Sequence, residues 1–314
     1  MAPSDRGWSY GLAEDEELAA GLTRVAAGRA ERALERLRES SAGRVDSAAA
    51  VHGARKDMKK LRTVLRLLRD ELGRKRCDRE NARFRDAARA LSATRDAEVK
   101  AATLEALAEH DGALPEDAVG AWRKILIRDR EAATGAARDR PAIEEAVALV
   151  EAGLEEIRGW EIEGDSWRIV DGGLLRTYRR GRRAMRSASK SHREADFHEW
   201  RKRAKDLWHE LRLFAPAWPG PLEATAEEAH RLSDLLGDHH DLAVLREDLG
   251  ERNLGEAGTA ALEAAIGRRQ EELAAAAFPL GHRLYAERPK AFSRRLRRCW
   301  EAWRFCKPLV DKSA

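Results

Sequence analysis

The chain has 314 residues, of which 36% are charged and 43% hydrophobic, with 59 Lys and Arg against 55 Asp and Glu. This composition can fill a sizeable core and excludes a disordered chain, while a net charge of only +4 means that any cationic site must come from how charge is distributed. Cys77, Cys299 and Cys306 form no CxxC pair, the opening stretch lacks the apolar run of a signal peptide, and no segment reaches the length of a membrane span, so disulfide frameworks, zinc ribbons and membrane proteins are set aside for a cytoplasmic setting.

Ala, Leu, Arg and Glu dominate, Val and Ile are sparse, and no alternating strand pattern stands out, so the chain reads as all-α. Clusters of Gly, Pro and Ser mark expected breaks near residues 43, 113, 140, 163, 218, 255 and 280, the last within "FPLGH". About ten to twelve helices lie between them, and short connections favour antiparallel bundles.

In chain order, the first distinctive helix is "VHGARKDMKKLRTVLRLL", Val51 to Leu68. His52, Arg55, Lys59, Arg62, Arg66 and Arg69 follow one stripe, with Lys56 next to it, and Leu61, Val64, Leu65 and Leu68 lie opposite. "LSATRDAEV" follows from Leu91. In the second half, "LLRTYRRGRRAM" adds a basic cluster of Tyr178 with Arg179, Arg180, Arg182 and Arg183. Then comes "FHEWRKRAKDLWHELRLF", with Phe197, Trp200, Ala204, Leu207, Leu211 and Phe214 spaced by three and four. Its other face carries His198, Arg201, Lys202, Lys205, His209 and Arg212 within about a 100° stripe. Like charges at i,i+4 cost a few tenths of a kcal/mol each. Such a stripe either binds an anion or pairs with Glu on neighbouring helices.

The two striped segments superpose: His52 on His198, Arg55 on Arg201, Lys56 on Lys202 and Lys59 on Lys205, at an offset of 198 − 52 = 146. "LSATRDAEV" superposes on "LGDHHDLAV", with Asp96 on Asp241 at an offset of 241 − 96 = 145. Two matches in one order imply an internal duplication, residues 10–160 and 166–306. Two pseudo-symmetric helical-bundle units would then place the basic faces along one central groove or channel. Trp208, matching Arg62, makes the halves unequal.

These segments resemble the conserved histidine α-helical domain, CHAD: a helix opening with His, then Arg and Lys at i+3, i+4 and i+7, present as "VHGARKDMKKLR" and "FHEWRKRAKDLW". "LLRTYRRGRRAM", the "LGDHHDL" block and the opening "WSYGLAEDEELAAGL" also resemble it, so the likeness covers almost all of residues 1–314 as one domain. The resemblance implies a binding module for inorganic polyphosphate, with no cofactor and no catalysis of its own, at home in the cytoplasm and on polyphosphate granules. It directs attention to His52, Arg55, Lys56, Lys59, Arg62, Arg66, Tyr178, Arg179, Arg182, Arg183, His198, Arg201, Lys202, Lys205, His209 and Arg212 as contacts. The family's frequent partner, a triphosphate-tunnel barrel, has an N-terminal Glu-x-Glu-x-Lys motif; "EIEGD" at Glu161 lacks the Lys and has no strands around it.

Two rivals remain. "GDHHD", with His239, His240 and Asp241, suggests a metal-dependent phosphohydrolase. An N-cap role for Asp241 and Asp96 explains their recurrence better. The other rival is a nucleic-acid backbone binder. Trp200, Trp208 and Trp218 are expected around the second-half site.

Overall fold

The computed structural model describes residues 8–91, 93–136, 140–252 and 256–305. Among these residues there are twelve α-helices, one 3-10 turn and no strand. The first half contains α1 (Leu18–Ser41), α2 (Ser47–Leu67), α3 (Arg69–Leu72), α4 (Arg74–Ala90), α5 (Ala93–His110), α6 (Glu116–Ala136) and α7 (Arg140–Arg158). The second contains α8 (Arg168–Ser191), α9 (Glu194–Phe214), the 3-10 turn (Ala215–Ala217), α10 (Pro219–Gly250), α11 (Glu256–Leu284) and α12 (Pro289–Phe305). No helix among the described residues is long and apolar enough to cross a membrane. Cys306 lies outside the described residues.

Lengths recur between the halves. α1 and α8 have 24 residues each, and α2 and α9 have 21 each. They diverge afterwards: α4 ends at Ala90 before α5 begins at Ala93, whereas α10 runs unbroken for 32 residues. The "GDHHD" block therefore lies inside a helix, and Asp241 is not the N-cap that the sequence suggested. α10 starts instead at Pro219, where a missing N–H costs nothing. Asp96 falls inside α5, and its side chain lies outside the described ones.

The break expected near residue 280 is also absent, because α11 continues through Pro279 to Leu284. An interior Pro costs about 3 kcal/mol by itself. Packing on both sides outweighs it: Ala277 and Leu280 are buried, Phe278 stacks on Trp200 at 5.2 Å, and a Cβ on Gly281 would come 2.4 Å from the Trp200 ring. Helix α11 is held against α9 tightly enough to stay helical.

Two apolar cores form, and each draws residues from both sides of residues 160–166. The larger joins Leu22, Leu61, Leu65 and Phe84 of the first half to Leu174, Trp200, Leu211, Leu232 and Leu296 of the second. The smaller joins Leu104, Trp122 and Leu126 of α5 and α6 to Leu245, Leu262 and Ile266 of α10 and α11. Full burial of each such side chain contributes about 1.5–3 kcal/mol. At the crossing of α8 on α2, a Cβ on Gly173 would stand 2.5 Å from the Leu67 backbone, so glycine permits backbone contact between the halves. The connecting segment is also tied down. Asp165 Oδ1 accepts from the Leu18 N–H at 2.8 Å, capping α1 in place of Glu17, whose side chain makes no capping bond.

Candidate functional site

Helix α2 begins at Asp46, whose carboxylate accepts from the Ala49 N–H at 2.7 Å. From there Ala54, Met58, Leu61 and Leu65 bury one face. Helix α9 buries Phe197, Trp200, Ala204, Leu207 and Leu211 in the same way. Burial of the apolar faces leaves the two predicted stripes on the other sides of their helices.

Between α2, α9 and α10 lies a cavity of about 930 Å³. His52, Lys56 and Lys59 of α2 line it together with Lys205, His209 and Arg212 of α9. Lys60, Trp208 and His230 also line it, and the sequence reading had not chosen them for contact. Nor had it chosen Glu223, Glu227 and Asp234 of α10, which share the same space. Their signal was present as a polar face at residues 223, 227, 230 and 234, spaced by three and four, but nothing said which helix that face would meet.

Lys60 sits with its ammonium 5.2 Å from the Tyr10 ring centre. Burial pulls its pKa down to about 8, against an opposing pull from Asp57. His209 is only 5% exposed, stacked on Trp208 at 4.5 Å and edge-on to Tyr10 at 6.1 Å. Burial, reinforced by Lys205 and Lys60, pushes its pKa well below the ordinary value, so the ring is neutral at pH 7. Both of its nitrogens are sealed from solvent and find no hydrogen-bond partner among the described residues. Arg212 lies 5.9 Å over the Trp208 ring. Trp208 is thus the tryptophan at this site. Trp200 is fully buried, and Trp218 is 52% exposed.

Other predicted contacts are engaged elsewhere. Arg55 donates to the Leu91 carbonyl at 3.0 Å, and Arg62 to Asn81 at 2.9 Å. Arg66 donates to Asp206 at 2.6 Å, joining α2 to α9. Asp206 also faces Arg203 at 2.9 Å. Next to this pair, Glu210 is fully enclosed, and burial holds its carboxyl well above the usual range. These residues form a polar seam inside the molecule, on the side of α9 away from the cavity. Tyr178 belongs here too. It was expected to touch a ligand, but it is fully buried, stacked on Phe292 at 4.2 Å, and its hydroxyl donates to the Leu284 carbonyl at 3.0 Å. Arg179 and Arg183 are exposed, Arg182 is half-buried, and none of the three lines the cavity.

Towards the start of α9, His198 faces His240 with ring centres 4.1 Å apart. Burial first, then each other's neighbourhood of Arg201 and Lys202, draws both rings down to about 4. Arg201 approaches Asp241 at 3.9 Å, and Lys202 is exposed beside Glu199 at 3.6 Å. His239 turns the other way and stacks on Phe197 at 4.2 Å. Successive residues on a helix differ by about 100° in direction, so His239, His240 and Asp241 do not converge on one point. All three lie within the continuous helix α10.

A search of curated proteins finds no match. The family model of the CHAD domain matches residues 28–250, a span that contains both striped helices and the cavity between them. The chain belongs to the CHAD domain family.

Proposed function

We propose that this protein binds inorganic polyphosphate along the cavity between α2 and α9, and carries out no reaction on it. The observation that carries this reading is that cations predicted from two separate stripes, Lys56 and Lys59 on one and Lys205 and Arg212 on the other, line a single cavity. A linear polyanion needs donors in series, and each well-formed charge-assisted hydrogen bond is worth about 1.5–3 kcal/mol. The equal lengths of α1 with α8 and of α2 with α9 support the internal duplication, and with it a groove shared by equivalent helices. The divergent His239, His240 and Asp241 favour a binding role over hydrolysis.

Titration calorimetry at several salt concentrations tests the reading. The log of the affinity for long-chain polyphosphate should fall linearly with log salt, by roughly 0.7 per phosphate neutralised if single-stranded backbones are a guide. An affinity indifferent to salt would sink the proposal. Duplex DNA held as tightly as polyphosphate would favour the nucleic-acid reading instead.

A further inference from the structure

A segment far away in sequence closes the cavity from beneath. Tyr10 donates its hydroxyl to the His209 carbonyl at 3.1 Å, and the Leu12 N–H donates to the Leu213 carbonyl at 3.2 Å. Arg24 of α1 holds the same segment from the other side, donating to the Gly11 carbonyl at 2.9 Å. A Cβ on Gly11 would come 2.7 Å from the ring of Pro216, which lines the cavity. The Tyr10 ring is itself buried, and the Lys60 ammonium stands over it at 5.2 Å.

A second observation concerns Lys60 itself. It is half-buried and lines the cavity, yet apart from the Tyr10 ring its ammonium has no hydrogen bond or ion pair among the described residues. The nearest carboxylate on its own helix, Asp57, is already held by Arg29 at 3.0 Å and by Arg36. Across the cavity α9 presents Lys205, His209 and Arg212, none of which offers a negative charge. Burial, joined by Arg29, Arg212 and Arg36 against the pull of Asp57, weakens its hold on a proton. Burying a charge is costly unless it is paired, so an anion that reaches Lys60 gains more there than at the exposed Lys56 or Arg212. An internal phosphate of a linear chain carries about one negative charge, whereas the terminal phosphate, with a second pKa of about 6, carries about two at neutral pH. A chain that dipped to Lys60 and left again would also bring a second length of polyanion against the exposed Glu223, Glu227 and Asp234 of the opposite wall. A chain end needs no way out.

We propose that the cavity receives the end of a polyphosphate chain, with the terminal phosphate on Lys60 over the closed floor and the following phosphates leading out past Lys56 and Arg212. This inference rests on the polyphosphate reading above and names the part of the chain that is held.

Titration calorimetry with linear polyphosphates of two defined lengths reads the stoichiometry. It should be one protein per chain end at both lengths, whereas binding along the chain gives a number that grows with length. Capping the terminal phosphates with methylamine as phosphoramidates keeps the number of phosphates and removes the extra terminal charge. Capping should weaken binding by the wild-type protein about tenfold or more, the loss of one good charge-assisted contact. Lys60→Met keeps an apolar stem over Tyr10 and should bind free and capped chains alike; should it fail to fold, the two wild-type measurements decide by themselves. A stoichiometry that rises with chain length, capped chains held as tightly as free ones, or a preference for free ends that persists in Lys60→Met overturns the inference and leaves the polyphosphate reading intact. No binding of any chain overturns both.

Discussion

The cavity and the seam flank the same helix, α9, and are built from the same residue types, yet they use them differently. On the cavity side the cations are mostly lysines: Lys56, Lys59, Lys60 and Lys205, with Arg212. On the seam side they are arginines tied to fixed acceptors, Arg62 to Asn81 and Arg66 and Arg203 to Asp206. Arginine's planar fork of five donors suits a fixed internal acceptor, whereas lysine is a point charge on a flexible stem that can follow an incoming anion. The seam is thus engaged in internal pairing, while the cavity side is the part proposed to receive an anion.

Substitutions in the two regions should separate stability from binding. The largest effect is expected at the seam. Tyr178→Ala removes a buried aromatic ring and should cost about 3–5 kcal/mol of stability. Tyr178→Phe loses only the bond to Leu284 and should cost about 1 kcal/mol. Chemical denaturation of both variants measures this; a Tyr178→Ala protein of wild-type stability would contradict the assignment of Tyr178 to the core.

Next in size is the cavity. Lys59→Ala combined with Lys205→Ala should weaken polyphosphate binding by about 3 kcal/mol, roughly a hundredfold, with little change in melting temperature. Full affinity in this double variant would remove the cavity from consideration as the site.

Arg66→Ala should do the reverse. It removes one of two partners of Asp206, and about 1–3 kcal/mol of stability should go with it, since Arg203 remains at 2.9 Å. Loss of affinity at unchanged stability would blur the boundary between seam and cavity.

Acid should act on stability through two half-buried histidines. His198 and His240 titrate at about 4 in the folded protein, below the ordinary 6.5. The unfolded chain then binds more protons between those values, so stability holds above about pH 6.5 and falls as pH drops towards 4. Melting temperatures at pH 7.5 and 5 check this, and His198→Gln with His240→Gln should make the fall shallower. A melting temperature that rises on acidification would show the sign to be wrong.

The smallest effect is expected at Asp241. As a partly exposed residue within α10, 3.9 Å from Arg201, it should change stability by no more than about 0.5 kcal/mol on replacement by Ala. A loss of about 2 kcal/mol would restore the capping role that the continuous helix denies it.

Much of the candidate site was legible in the sequence because helical periodicity converts spacing directly into direction. His52, Lys56, Lys59, Lys205, His209 and Arg212 were all chosen from their stripes and do share the cavity. Tyr178 was misplaced because its basic neighbours pointed to a surface, while its own ring had a place against Phe292. Lys60 was passed over because it sits at the margin of the stripe, and its burial against Tyr10 depends on a segment far away in sequence. The acidic residues of α10 lay on a recognisable face, but a face carries no record of its partner.

By itself the sequence determined the helical class, the family, the position of most helix ends and the two cationic stripes, since all of these depend on local propensity and period. Tertiary structure alone decided which helices face one another. It kept α11 helical through Pro279 by packing it on Trp200, and it kept α10 unbroken through "GDHHD" where the first half divides at Leu91. It also drew Arg66 onto Asp206 and left Lys59 and Lys205 at the cavity. Pairing energies between distant helices are not written in the local pattern of either one.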